Sequence, residues 1–347
     1  MEKNELIFVS GHRGMVGSAF VRKLEREGHR SILVRTRKEL DLLDQRAVND
    51  FFRANPIDRV LVAAGKVGGI RANALAQADF LYQNLMTSVN VIHAAAETGV
   101  KHLLFLGSSC IYPKHAPQPI PESALLSGPL EPTNFGYAIA KIAAVKLCEA
   151  YSEQHGVRFV PVMPTNLYGP GDNFDPLQSH IIPSLLRRFH QAKLDRAPEV
   201  TVWGTGKAVR EFLHVEDFAD ALYLLMGHPT HSQIINVGAG SVYTVGEVAG
   251  LIREAVGYEG RLVFDTNQPD GAPIKISESS RILSLGWKPT RDFREGLEAL
   301  YEWAQDEGLL PNSSSDSGSA PVTVPARRPD TLRVPAECSG AQQAASS

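Results

Sequence analysis

The chain has 347 residues, of which 43% are hydrophobic and 21% charged, and a formal net charge of −3. That is enough apolar material for one large domain or two unequal ones. The near-neutral balance, without a long basic stretch, argues against a nucleic-acid partner or an anionic membrane surface, and no segment approaches the ~20 apolar residues needed to span a bilayer.

The N-terminal "MEKNELIFVSG" enters a strand almost at once, which predicts that no signal peptide is present. "LIFVSG" reads as a strand and "MVGSAFVRKLEREG" as a helix; "SILVRT" and "QRAVNDFFRAN" repeat the pair. "RVLVAAG" is a third strand, followed by a long helical stretch near "ADFLYQNLMTSVNVIHAAAETG". "HLLFLGSS" is the next strand, "YAIAKIAAVKLCEAYSEQHG" a helix, and "RFVPVMPTNLYG" a strand leaving into a loop. Continuous apolar strands alternating with helices predict an α/β fold of the Rossmann type, a doubly wound parallel sheet.

After Gly169 the character changes. "GPGDNFDP" is a turn-rich loop and "SHIIPSLLRRFHQA" a helix with an early proline. "VTVWGTGKAVREFLHVEDFADALYLLM" reads as a hairpin followed by a helix, and later elements are shorter, ending with "REGLEALYEWAQDEG". The organisation predicted is a nucleotide-binding domain over residues 1–172 with returns near 208–240, a smaller substrate-binding lobe over 173–310, and a disordered Ser/Pro/Ala-rich tail over 311–347. Three cysteines, Cys110, Cys148 and Cys338, make no disulfide framework and suit a reducing cytosol. Cys148, inside a helical pattern, reads as a small core residue. No metal site is predicted.

"GHRGMVG" places Gly11, Gly14 and Gly17 between the first strand and the first helix. Glycines at this spacing permit a tight turn, close approach of the backbone to a pyrophosphate, and close helix–sheet packing; the helix N-terminus then presents free N–H groups to the phosphates. The second strand ends "VRTRKEL". Arg35 and Arg37, with Arg13 inside the glycine loop, suit a ribose 2′-phosphate, so NADP(H) is favoured over NAD. Asp41 falls where an adenine contact is made. "YAIAK" puts Tyr137 and Lys141 one helical turn apart on the same face. An ammonium beside a phenol should lower the tyrosine pKa and prepare it for proton exchange with a carbonyl or alcohol oxygen. Ser108, at the end of an intervening strand, completes this set.

With these motifs the sequence resembles the extended short-chain dehydrogenase/reductase family from Leu6 to about Gly308. The series "GHRGMVGSA", "KVGGI", "LFLGSSCIYPK", "LEPTN", "YAIAKIA", "VMPTNLYGP", "HIIPSLLRRFH", "VWGTG", "REFLHVED", "INVG" and "PDG", in that order, is similar to its nucleotide-sugar 3,5-epimerase/4-reductases. The resemblance implies NADPH-dependent epimerisation at C3 and C5 of GDP-4-keto-6-deoxy-D-mannose, followed by reduction at C4. It implies that Tyr137 protonates the C4 oxygen, that Ser108 hydrogen-bonds to it, and that Lys141 holds the nicotinamide ribose. It assigns the two proton transfers to Cys110 and His180; read from the sequence alone, these would be a packed strand-end cysteine and a surface residue at a helix start.

The same resemblance implies cofactor contacts from Gly11, Arg13, Gly14, Met15, Val16 and Gly17, from Arg37 and Asp41, from Leu106 and Gly107, and from Pro164, Thr165, Asn166 and Leu167, with Lys141 and His180 touching both cofactor and chemistry. It implies substrate contacts from Arg188, Trp203, Arg210 and Asp270: arginines suit a diphosphate, and an indole can cover a sugar or base. It also implies a cytoplasmic homodimer joined through the helices near "QNLMTSVNVIHAAA" and "YAIAKIAAVKL". Two departures are Phe135-Gly136, where the family usually has Glu-Pro, and Glu278 for an aspartate; a third is a short connection between "LLMGHP" and "IINVG". The rivals are a nucleotide-sugar 4-epimerase, a 4,6-dehydratase and a non-catalytic NADP-binding regulator. "SSCIYPK" lacks the Asp-Glu pair of dehydratases, the basic "VRTR" disfavours a 4-epimerase, and the retained tyrosine and lysine disfavour a regulator.

Overall fold

The computed structural model describes residues 1–313 apart from 177, 229–232 and 269. The sequence-predicted tail, from residue 314 onward, and most of the short connection before "IINVG" lie outside the described residues.

Six strands form one all-parallel sheet: β1 (Ile7–Ser10), β2 (Ile32–Leu33), β3 (Arg59–Val62), β4 (His102–Leu106), β5 (Arg158–Pro164) and, after an excursion, β9 (Ile235–Val237), in the order β2-β1-β3-β4-β5-β9. Alternate residues feed two cores, as the two-residue period of a strand requires. Phe8, Val60, Val62, Leu103, Phe105 and Phe159 face the helices α2 (Gln45–Ala54), α4 (Gln77–Glu97) and α5 (Phe135–His155). Ile7, Val9, Leu61, Leu104, Val160 and Val162 face α1 (Met15–Arg26) and α7 (Val215–Gly227). Cys148 is fully buried in the first of these cores, as its helical setting predicts. The chain leaves β1 for β2 on one side and returns to β3 on the other, so a crevice opens at the carboxyl ends of β1 and β3, where α/β folds bind ligands.

The predicted strand "RFVPVMPTNLYG" divides at Thr165. β5 stays in the main sheet, and β6 (Asn166–Tyr168) crosses to pair with β8 (Val209–His214). The buried Thr165 is the joint: its N–H bonds to the Val237 carbonyl and its hydroxyl to the Glu211 carbonyl.

The predicted hairpin over 200–214 is not formed. β7 (Glu199–Trp203) pairs in parallel with β11 (Arg261–Asp265), whereas β8 pairs with β10 (Val242–Thr244), β12 (Ile274–Lys275) and β6. Gly204 and Gly206, at φ of +84° and +75°, carry the chain away from β7 instead of folding it back. Val200 and Val202 then pack into a third core with Phe189 of α6 (Ile181–Leu194), Ile252 of α8 (Val245–Val256) and Leu297 and Leu300 of α10 (Phe293–Asp306). Burial of that face outweighs the short sequence spacing. Pro311, where the predicted tail begins, is buried, its carbonyl accepting from His190 Nε2 at 2.9 Å.

Candidate active site

The first glycine loop is closed by the Gly14 N–H donating to the Gly11 carbonyl at 2.9 Å, and Gly14 is the N-cap of α1. Gly11 has φ of +73°, and a Cβ there would stand 2.7 Å from the Ala64 nitrogen, so only glycine fits between β1 and β3. A Cβ on Gly17 would stand 2.2 Å from the Gly11 carbonyl oxygen. This loop opens into a cavity of about 590 Å³ that is also lined by Arg13, Arg35, Arg37 and Asp41. Met15 and Val16 begin α1 directly beyond the loop.

The cavity fits a dinucleotide with a 2′-phosphate: free N–H groups at a helix start, a backbone without side chains, and three guanidinium groups at one end. Arg37 lies 3.7 Å from Asp41, whose carboxylate also accepts the Leu43 N–H at 3.1 Å, so Asp41 orients this end of the cavity from within the protein. Arg35 stacks 5.5 Å from the Phe51 ring. His12, Lys66, Gln83 and Thr87 also line the cavity and were not singled out in the sequence. Gln83 and Thr87 stand one turn apart on α4, but Asn84, Ser88 and Asn90 share that helix, so the sequence offered no signal that singled them out.

At the end of β4, Leu106 and Gly107 lead into Ser108, whose hydroxyl oxygen accepts the Cys110 N–H at 3.2 Å and so starts a short 3-10 turn, Ser109–Ile111. Gly107 lies against Met163, with its own N–H on the Val162 carbonyl. Lys141 is buried, and its Nζ donates to the Leu106 carbonyl at 2.8 Å. Burial pulls its pKa down to about 8.

The sequence expectation for Tyr137 is corrected here. Burial and the charge of Cys110 raise its pKa, against a hydrogen bond from Ser108 that acts the other way. The Lys141 ammonium is directed at the Leu106 carbonyl and lies 5.8 Å from the phenol ring centroid, too weakly placed to reverse the sign. Tyr137 is therefore a phenol near neutrality, in the form that donates a proton.

Cys110 is half-buried, and Lys275 Nζ lies 3.3 Å from its Sγ. Burial alone would raise the thiol pKa; the Lys275 charge, with hydrogen bonds from Ser108, Lys275 and Asn134, brings it below its ordinary value. Ser108, Cys110 and Tyr137 thus form one cluster over the buried Lys141. His180 is the N-cap of α6 and is exposed, though its side chain does not cap the helix. Surrounding protein excludes enough water to lower its pKa by desolvation. The "KVGGI" loop supports this helix start: the Gly69 N–H donates to the Gln178 carbonyl at 3.0 Å, and a Cβ on Gly69 would stand 2.9 Å from the Ser179 carbonyl.

Pro164 ends β5, and Leu167 packs against the core of the α1 face. The side chains of Thr165 and Asn166 both bind the Glu211 carbonyl, so these two residues fasten the crossing between the sheets.

The four substrate-contact candidates lie in the smaller part of the chain. Trp203, 62% exposed at the end of β7, presents an open indole face, which rules out core packing as its role. Arg188 reaches from α6 to the Thr201 carbonyl on the same strand. Asp270 accepts from the Thr205 N–H at 2.6 Å and hydroxyl at 2.8 Å, closing the loop after β7. Arg210, half-buried on β8, feels the charges of both Asp270 and Cys110, which ties this cluster to the thiol. Among the described residues there is no group of three or more His, Cys, Asp or Glu suited to a metal ion, and no helix is long and apolar enough to cross a membrane.

Residues 7–238 match the model of the NAD dependent epimerase/dehydratase family. The chain is 55% identical over 303 residues to "Putative GDP-L-fucose synthase 2" of Arabidopsis thaliana, covering 87% of this chain and 92% of that protein. It is 54% identical over 307 residues to "GDP-L-fucose synthase" of Escherichia coli strain K12, covering 86% and 95%. Among solved structures, a GDP-L-fucose synthetase from Naegleria fowleri bound to NADP superposes with a TM-score of 0.81 at 26% identity, over 90% of this chain and 97% of that one.

Proposed function

The chain belongs to the NAD dependent epimerase/dehydratase family, and we propose that it converts GDP-4-keto-6-deoxy-D-mannose to GDP-L-fucose with NADPH, inverting C3 and C5 and then reducing C4. The observation that carries this reading is the thiol of Cys110 inside the Ser108–Tyr137 cluster. A plain 4-reductase needs the hydroxyl pair alone; a thiol held low in pKa adds a base able to act beside it.

In this mechanism the C4 ketone acidifies the hydrogens on C3 and C5. Cys110, as thiolate, takes one of these protons, and the C–H electron pair moves into an enolate whose charge develops on O4. The hydroxyl groups of Ser108 and Tyr137 stabilise that oxygen. His180 returns a proton to the opposite face of the carbon, inverting it; the thiol then loses its proton to solvent and the imidazole regains one. The second centre follows in the same way. NADPH, when bound, supplies the hydride for C4. Tyr137 gives its proton to O4, and Lys141 holds the ribose beside it. Arg188 and Arg210 bind the diphosphate, Trp203 covers the sugar or base, and Asp270 fixes the loop that follows Trp203 through Thr205.

We assign the six-stranded part to the cofactor and the smaller part to the sugar nucleotide. The exposed Tyr82 on α4 and Phe135 at the start of α5 support a homodimer through these helices, and we assign the enzyme to the cytoplasm. The test is NADPH absorbance decay on adding GDP-4-keto-6-deoxy-D-mannose, with NMR of the product. A product of L-fuco configuration supports the reading. NADPH binding without turnover, or reduction without inversion at C3 and C5, contradicts it.

A further inference from the structure

Cys110 and Lys275 are 165 positions apart in sequence, yet Nζ and Sγ stand 3.3 Å apart. We propose that Lys275 is a positioning residue that holds Cys110 as the thiolate required for proton abstraction. The proposal deepens the functional reading above and rests on it.

The contact is built into the fold. Lys275 lies on β12, in register with Arg210 on β8, so the two cations are side by side in neighbouring parallel strands. The segment after Lys275 is fastened on two sides. The Ile276 N–H donates to Gln118 Oε1 at 2.9 Å, and the Ser277 N–H donates to the fully buried Glu211 at 3.0 Å. Glu211 also accepts the Gly240 N–H at 2.8 Å, and a Cβ on Gly238 would collide with its carboxylate. The loop after β9 and the strand carrying Lys275 therefore hang from one carboxylate. The ammonium is thereby presented to the sulfur by backbone anchors and does not depend on its own flexible stem.

The groups facing Cys110 are Lys275 from β12, Arg210 from β8, Tyr137 from α5, Ser108 from its own turn and Asn134 from the turn before α5. The two charged ones among them are both positive. The thiol pKa is lowered although burial acts in the opposite direction, and the Lys275 charge is the largest of the lowering influences. The oxyanion side of the cluster, by contrast, holds a phenol whose pKa is raised. The site thus lowers the pKa of the group placed to take a proton and raises that of the group placed to give one, the divergence enolate formation needs.

The experiment reads the thiol directly. The full chain is alkylated with iodoacetamide across pH 5 to 10 without substrate, and the Cys110 peptide is quantified by mass spectrometry, which separates it from Cys148 and Cys338. The same measurement is made on Lys275→Met, which keeps the length, and Lys275→Arg, which keeps the charge. The wild-type midpoint should lie below the ~8.5 of an ordinary thiol, Lys275→Met should raise it by about one unit or more, and Lys275→Arg should restore most of the shift. Deuterium exchange at C3 and C5 should fall in kcat with Lys275→Met and recover at alkaline pH. An unchanged alkylation midpoint in Lys275→Met, with only KM for the sugar nucleotide raised, overturns the proposal and makes Lys275 a substrate contact. A wild-type midpoint at or above ~8.5 overturns it without any variant. Because alkylation uses no sugar nucleotide, its outcome stands apart from whether the proposed substrate is turned over.

Discussion

Replacing Gly17 by alanine should damage both stability and NADPH binding, whereas replacing Gly14 should damage binding alone. A Cβ on Gly17 would sit 2.2 Å from the Gly11 carbonyl oxygen, while real Cβ contacts stay beyond 3.0 Å, so one side must move by about 0.8 Å. Neither side can yield freely. The same carbonyl accepts the Gly14 N–H that closes the loop, and Gly11 is itself pressed against the Ala64 backbone. Overpacking of this kind costs about 1–3 kcal/mol. Expressed in stability, that is a fall of a few degrees in Tm. Expressed in the loop that receives the pyrophosphate, it is a loss of roughly ten- to a hundredfold in NADPH affinity. Gly14 differs: its backbone is extended at φ of −80°, and a Cβ would meet its nearest neighbour at 3.4 Å, an ordinary contact. Alanine there fits the empty protein and intrudes only on the space the pyrophosphate needs. Thermal melting and NADPH fluorescence titration of the two variants separate the cases. A Gly17→Ala protein with wild-type Tm and affinity, or a Gly14→Ala protein that melts several degrees early, would refute this account of the loop.

Further outcomes follow from the other parts of the site. Cys110→Ser should fold and bind NADPH normally but lose most deuterium incorporation at C3 and C5, leaving slow reduction to the 6-deoxy sugar of manno configuration; wild-type exchange would make Cys110 a packing residue. Tyr137→Phe should lose reduction more completely than Cys110→Ser, because the proton for O4 is gone, and equal residual reduction in the two would contradict that role. Arg37→Ala should narrow the preference for NADPH over NADH, and equal affinity of the unaltered protein for both cofactors would remove the basis for it. Asp172 is buried, with Oδ2 unpaired among the described residues and a carboxyl pushed up to about 7 by burial. Between the ordinary value of 3.8 and about 7 the folded protein binds a proton that the unfolded chain has released, so this group lowers stability as pH rises through that window. Asp172→Asn should accordingly raise Tm at pH 8 relative to its effect at pH 4, and a Tm difference independent of pH would count against the buried carboxyl.

Much of the fold was written in short-range patterns. The alternation that sends Phe8, Val60 and Leu103 to one face and Ile7, Leu61 and Leu104 to the other is a property of neighbouring residues in each strand. The glycine loop and the one-turn spacing of Tyr137 and Lys141 are equally local, since they depend only on strand–helix succession and helical rise. The resemblance placed Ser108, Cys110 and His180 among candidates for the same reason: each sits in a motif a few residues long.

Other features depend on which distant segments meet. The sequence from Val200 to His214 has the spacing of a hairpin, yet β7 takes β11 as its partner because that pairing buries Val200 and Val202 among α6, α8 and α10. The direction of the Tyr137 shift turns on how much water the finished fold excludes and where the Lys141 ammonium points, neither of which a four-residue spacing contains. Lys275 carries no motif of its own; it reaches Cys110 because β12 lies in register beside β8 and Glu211 anchors the residues that follow. Periodicity and glycine spacing decide which element forms and which face it buries. Desolvation and contacts between charges far apart in sequence exist only once the elements have packed, and those decide which groups in this site are charged.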